Sequence, residues 1–371
     1  MSRRKRMRAT LACAAILGAA FAAAADAVEP VDTPAGLSIV WRMPGHKVDR
    51  GASGDALNAF SPDGRYVAIH DSRRVRVVDA RSGKTVRDFW LDPSSVKPFS
   101  LAVSSSGSVA LGLMGNAEVF EARKDPVRHW CDGACGAITA VAFSPDERFL
   151  AFQGTRGLPD WRSGLGGVVS VVDLARGEPV NLDAVASIAQ VTFSPDGGTF
   201  RAMSITQVDD RQTFGVRVWS TADWHLTRNI VGSKRTMRRV APLDSVPYAG
   251  VSMNAGHIEA RDLSTDRVLW SVPLVPPDVD GSPGAPESVN LDLVEIAPNG
   301  KFVLSYEGPK AYDATGLAKG VIVIRRASDG EVEALYDAPR VSDLTVAPDG
   351  KTFAYSTATG QTYTAVARVP L

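Results

Sequence analysis

A five-residue turn sequence recurs along this chain at intervals of about 50 residues. It reads FSPDG at 60–64, FSPDE at 143–147, FSPDG at 193–197, IAPNG at 296–300 and VAPDG at 346–350. Proline presets φ, aspartate bonds back to the backbone and glycine accepts a positive φ, so each copy favours a tight turn. Short apolar runs flank each copy, as the two strands of a hairpin require.

A second hairpin follows most of these turns. Residues 75–89 alternate in polarity, turn and alternate again, and the pattern recurs at 168–180, 216–227, 258–270 and 321–334. Four antiparallel strands, here called A to D in chain order, repeated at this interval indicate a β-propeller. We therefore predict an all-β fold, a seven-bladed β-propeller of four-stranded blades, with first strands near residues 57, 99, 138, 188, 239, 290 and 342.

The last blade contains only three strands before residue 371, and residues 37–42 form an extra strand ahead of the first blade. An open ring would expose unpaired sheet edges. We therefore predict that residues 37–42 complete the last blade and close the ring.

With these turns, the chain resembles the WD-repeat superfamily, in the bacterial secreted form whose repeat carries a Ser-Pro-Asp-Gly turn. It is also similar to the propellers of the Tol system and of prolyl-oligopeptidase-type enzymes. The resemblance covers residues 37–371 and implies a propeller. The Trp-Asp pair of a strict WD repeat is replaced by pairs such as Val78-Asp79 and Trp219-Ser220, so the hydrogen-bond network of that repeat is not expected.

The first 27 residues have a basic head, an alanine-rich apolar core and a small-residue end, Ala25-Asp26-Ala27. This anatomy predicts a signal peptide at 1–27, followed by a linker at 28–36 and the propeller at 37–371. An uncleaved anchor is the alternative. We expect a bacterial periplasmic or secreted protein. Its mature chain has a small excess of acidic residues, so we expect it to bind no nucleic acid. No later apolar run reaches the length of a membrane helix, so we expect no membrane span after cleavage. We also expect a monomer.

The B–C loops and D-to-A links of a propeller emerge on one face, and in this chain they include the longest segments: 154–167, 204–214, 306–319, 43–56, 124–137 and 273–287. Long loops on a rigid scaffold often bind partners. The predicted binding residues on this face combine aromatic and basic side chains, as protein-interaction surfaces do. They are Trp161, Arg162, Arg73, Arg74, Lys234, Arg235 and Tyr312.

The mature chain has two cysteines, Cys131 and Cys135, in the link between the second and third blades. In an exported protein we expect them to form a disulfide. Free or redox-active thiols are one alternative. A metal site is another, although only His129 lies near as a further ligand. We predict no metal site and no cofactor.

No G-x-S-x-G elbow or Gly-rich phosphate loop is present, and the five histidines are scattered. We therefore predict no catalytic residues and interpret the chain as a non-catalytic module that binds an envelope protein or a small anionic ligand. The basic run at 234–239 is one place for an anion. The alternative is a propeller enzyme of the lactonase or quinoprotein-dehydrogenase-subunit type, with its site in the central channel.

Overall fold

The computed structural model describes residues 36–47, 56–91, 98–121, 127–130, 135–156, 167–180, 182, 187–208, 211–233, 237–275, 278–279, 282–283, 289–309, 319–357 and 361–370. These residues form 30 strands and no helix. Accordingly, no helix that is long and apolar enough to cross a membrane occurs in the described part of the chain.

Seven four-stranded antiparallel sheets make up a seven-bladed β-propeller, which confirms the predicted fold. Blade 1 contains β2 (Leu57–Phe60), β3 (Tyr66–Asp71), β4 (Arg74–Asp79) and β5 (Thr85–Trp90). Blade 2 contains β6 (Ser100–Val103), β7 (Val109–Gly112), β8 (Asn116–Phe120) and β9 (Val127–Trp130). Blade 3 contains β10 (Cys135–Phe143), β11 (Phe149–Arg156), β12 (Gly167–Asp173) and β13 (Glu178–Val180). Blade 4 contains β14 (Ser187–Phe193), β15 (Thr199–Val208), β16 (Arg211–Ser220) and β17 (Leu226–Ser233).

The remaining blades follow the same order. Blade 5 contains β18 (Arg239–Leu243), β19 (Val246–Asn254), β20 (His257–Asp262) and β21 (Arg267–Pro273). A short ribbon of β22 (Asp278–Val279) and β23 (Ser282–Pro283) precedes blade 6. Blade 6 contains β24 (Val289–Ile296), β25 (Phe302–Pro309), β26 (Gly320–Arg326) and β27 (Val332–Ala338). Blade 7 contains β28 (Val341–Val346), β29 (Thr352–Thr357), β30 (Gln361–Arg368) and β1 (Ile39–Lys47).

The seventh blade is completed by the N-terminal strand, as predicted. β1 pairs antiparallel with β30, with Ile39 opposite Ala367 and Pro44 opposite Tyr363. The strand is longer than the predicted 37–42 and extends to Lys47. The ring is therefore closed by hydrogen bonds between the two ends of the propeller sequence.

The recurring turn owes its shape to the residues predicted to form it. In blade 1, the Ser61 hydroxyl donates to Asp63 over 2.6 Å, and the same carboxylate accepts the Arg65 N–H. Gly64 has φ of 73°, in the region that favours glycine. Glu147 occupies the equivalent place in blade 3 with φ of 59°, so the turn tolerates a side chain there.

Neighbouring blades are joined by apolar cores and by outer-strand side chains that donate to the next blade. The Nε1 atoms of Trp41 and Trp270 donate to the carbonyls of Ala80 and Ala327, over 2.7 and 2.8 Å. In blade 1, Arg87 occupies the same outer-strand register and donates to the Phe120 carbonyl of blade 2. One position thus joins blade 7 to 1, blade 1 to 2 and blade 5 to 6.

Two of the long connections predicted from sequence contain strand. Segment 204–214 extends a hairpin, because β15 and β16 stay paired out to Val208 and Arg211. In the link 124–137, β9 and the start of β10 cover 127–130 and 135–137. Both connections therefore hold less loop than the sequence predicted.

Candidate functional site

The two ends of the strands define two faces. The Pro-Asp-Gly turns lie on one, here called the turn face, and the B–C and D-to-A connections lie on the other, here called the loop face. On the loop face, Arg73 lies in the tight turn between β3 and β4 and is exposed. Arg74 begins β4, and its guanidinium is bound by Asp88 and lies 5.5 Å from the Trp90 ring centroid. Hydrogen bonding to Arg74 lowers the pKa of Asp88.

Three large apolar side chains are exposed on this face in blades 1 and 2. Trp90 ends β5 and is 68% exposed, Phe99 precedes β6 and is 40% exposed, and Met114 in the β7–β8 turn is 51% exposed. The other exposed large apolar residues of the described chain belong to outer strands: Val86, Val231, Val268, Val332 and Leu335. We call Arg73, Arg74, Trp90, Phe99 and Met114 the blade 1–2 patch.

Side-chain contacts join blades 1 and 2, which carry this patch. Phe89 and Phe120 stack across the interface of the two blades, with ring centroids 4.8 Å apart. Arg87 donates to the backbone carbonyls of Gly107, Phe120 and Glu121 at the turn-face end of blade 2. The patch is thus presented by two blades that contact each other directly.

The other predicted binding residues lie outside the described residues: Trp161, Arg162, Lys234, Arg235 and Tyr312. So does Cys131, while Cys135 is described only as the first residue of β10. The disulfide and all seven predicted binding residues therefore stay predictions. Arg73 and Arg74 are on the predicted face, and the sequence reasoning missed their neighbours Trp90, Phe99 and Met114.

The inner strands of all seven blades enclose a central channel with a cavity of about 500 Å³. In every blade, one inner-strand residue at the same position lines the channel. Positions in different blades are matched by the second-strand residue with which each one pairs. In chain order the residues are Ala59, Ala102, Ala142, Thr192, Arg239, Glu295 and Thr345. The channel wall is therefore small and apolar in blades 1–3 and polar in blades 4–7.

The charged part of this wall is an ion pair with a second carboxylate nearby. Arg239 lies 2.6 Å from Glu295, and their side chains are 35% and 16% exposed. Loss of water in the channel raises the pKa of Glu295 to about 7, although Arg239 opposes the shift. Burial likewise raises the pKa of Asp343 to about 7, against the hydrogen bond that its carboxylate accepts from the Asn58 N–H at 2.6 Å.

This channel cluster was not found by sequence reasoning, which looked for inward-facing acids and saw no set. The sequence signal that could have found it is the inner-strand position described above, which is alanine in three blades and a charged residue in two. Within the described ranges no group of three or more His, Cys, Asp or Glu could hold a metal ion. Raised carboxyl pKa values in a cavity are typical of functional sites, but they also occur in structural ion-pair networks.

Neither protein-family models nor curated proteins match this chain.

Proposed function

We propose that this chain is an exported, WD-repeat-like binding propeller that holds a protein partner of the cell envelope on its loop face. The observation that carries the proposal is the blade 1–2 patch, where Trp90, Phe99 and Met114 are exposed on the loop face of two neighbouring blades and Arg74 lies against Trp90. Tryptophan and arginine are enriched among residues that dominate binding energy, and aromatic residues, methionine and arginine are enriched at interfaces.

The placement of the patch supports a protein partner. Trp90 stands on the outer strand and Phe99 beside the innermost strand of the next blade, so the patch extends from the rim toward the channel. A broad surface of this kind suits a macromolecule. The predicted loop residues Trp161, Arg162, Lys234, Arg235 and Tyr312 would extend it around the same face.

The test is a crosslinking pull-down with the tagged mature protein on envelope extract from its own cells. The variant Trp90→Ser/Met114→Ser removes two of the three exposed apolar side chains of the patch. Val231→Ser is the matched control, because Val231 is an outer-strand residue like Trp90 and is 61% exposed, but belongs to blade 4. Trp161→Ala/Arg162→Ala probes the predicted extension.

We expect one partner to be captured by the wild type and by Val231→Ser, and to be lost with the double patch variant. Since several buried contacts would be removed, the loss should be at least about tenfold. A partner retained by the patch variant would contradict this choice of surface. Capture of no specific partner by folded wild-type protein would contradict the protein-binding function.

A further inference from the structure

A second, smaller cavity of about 200 Å³ lies at blades 4 and 5, toward the turn face, and shares Thr192, Arg239 and Glu295 with the wall of the channel. It is next to the one hairpin in blades 4–7 whose turn has no proline or glycine: in blade 5, Asp244 and Ser245 connect Leu243 to Val246. Pro242 and Pro247 from this hairpin line the cavity. We call this cavity the blade 4–5 pocket.

Arg201 on β15 is the unusual residue of this pocket. It faces Thr192 in β14 and Val218 in β16. The same register in the other six blades holds only apolar residues, all with 0% exposure: Ala68, Ala110, Ala151, Val251, Leu304 and Ala354. Blade 4 therefore has a cationic side chain at a position where the other six blades have a buried apolar side chain.

The guanidinium of Arg201 is not fully satisfied by its neighbours. Within the described part of the chain it makes no ion pair, although Asp196 interacts with it electrostatically at longer range. Its buried Nε has no acceptor, and its carbon lies 5.9 Å from the Tyr248 ring centroid. A buried donor without an acceptor is costly to stability. Arginine at this position thus indicates a group that arrives from outside.

The rest of the wall sets the charge and shape of that group. Arg239 and Glu295 are the other charged residues that line the pocket, and they bind each other, so the wall carries a net charge of one positive unit. Met203, Val216 and Ile296 supply apolar surface. A cavity of about 150 Å³ accommodates benzene, so this one fits a ligand little larger than that.

We propose that the blade 4–5 pocket binds a small organic monocarboxylate, with its carboxylate on Arg201 and its apolar body against Met203 and Val216. A planar guanidinium matches a carboxylate with two parallel hydrogen bonds. This site is on the opposite side of the propeller from the blade 1–2 patch, and so it is independent of the protein-binding proposal.

Benzoate is the probe, titrated into the full mature protein by calorimetry, with benzamide as the neutral isostere and inorganic phosphate as the competing anion. Arg201→Met removes the charge and keeps an apolar side chain. Arg228→Met is the matched control, since Arg228 is exposed on the outer strand of the same blade. Denaturant unfolding of each variant is measured alongside.

We expect benzoate to bind with Kd on the order of 1 mM or below, given its few atoms. Arg201→Met should weaken this about tenfold or more, the size of a charged hydrogen bond. It should leave the unfolding midpoint equal or higher, because the pocket keeps an apolar side chain there. Arg228→Met should bind as the wild type does.

Four results would overturn the proposal. If benzamide binds as tightly as benzoate, the charge of the ligand has no role in binding. If phosphate binds more tightly than benzoate, the ligand of the pocket is not an organic acid. Unchanged benzoate binding in Arg201→Met would show that the ligand does not bind at this pocket. Absence of binding by folded wild-type protein at about 10 mM benzoate, ten times the expected Kd, would show the same. A lower midpoint in Arg201→Met with unchanged binding would assign Arg201 to structure alone.

Discussion

Single residues distinguish the blades of this ring from one another. At the same inner-strand position, Ala59, Ala102 and Ala142 place small apolar side chains in the channel. Arg239 and Glu295 place opposite charges there. The backbone is the same in both cases, so the chemistry of the channel is determined by side-chain identity. A propeller can acquire such a site without any change in fold.

Glu295 and Asp343 should make the stability of the protein fall with rising pH. Their pKa values of about 7 in the fold exceed the unfolded values of about 4, so the folded state binds more protons between these limits. The free energy of unfolding therefore decreases as pH rises from about 4 to 7, by at most about 4 kcal/mol per group. Urea unfolding of the wild type at a series of pH values measures this slope.

Glu295→Gln should flatten that slope and make the protein more stable than the wild type at pH values above about 7. The matched control is Glu331→Gln, because the Glu331 side chain is 70% exposed and its ion pair contributes little. An unchanged slope in Glu295→Gln, or an equal change in Glu331→Gln, would show that the channel does not hold this carboxyl in its protonated form.

Among the elements, β1 has the largest consequence for the ring, because it supplies the outer strand of blade 7. Besides pairing with β30, it carries Trp41, whose indole donates to Ala80 of blade 1. One strand thus completes a sheet and joins that sheet to its neighbour.

Deleting residues 37–42 should therefore destabilise the whole propeller by more than about 4 kcal/mol, beyond the usual range of a single substitution. Thermal unfolding followed by circular dichroism measures it, with deletion of residues 28–35 as the control that keeps the strand. Equal midpoints for the two deletions would mean that the ring does not depend on β1.

The elements were predictable from sequence because their signals are local. The Pro-Asp-Gly turns and alternating runs located the inner strand of every blade, including β6 and β18, where the turn is degenerate. The pocket residues were not predictable in the same way. Arg201 and Glu295 line the same cavity only once strands from several blades are placed in register. Both sides of each blade sheet are covered by neighbouring blades, so the alternation of polar and apolar residues does not show which side chains face a cavity.

At the scale of the whole molecule, the two faces offer different sites. The loop face carries the blade 1–2 patch, and the blade 4–5 pocket lies toward the turn face. A protein partner and a small ligand could therefore be bound together without competing for the same residues.

The proposed export gives a prediction for the whole chain. Protein recovered from the periplasm or medium of its own cells should begin at Val28, because cleavage is expected after Ala25-Asp26-Ala27. N-terminal sequencing or intact mass measures the start. A full-length chain retained in the cytoplasm would contradict both the signal peptide and the proposed place of action.

Ring closure by β1 also imposes an order in time. A ribosome makes Ile39 long before its partner Ala367, and at about 5–20 residues per second the wait is roughly 15–65 s. During that interval the outer strand β1 has no partner, and its edge is open to other chains. Newborn molecules of this protein therefore share a vulnerable period that ends only when the final strand is synthesised, and helper proteins that shield nascent chains would have their largest effect then.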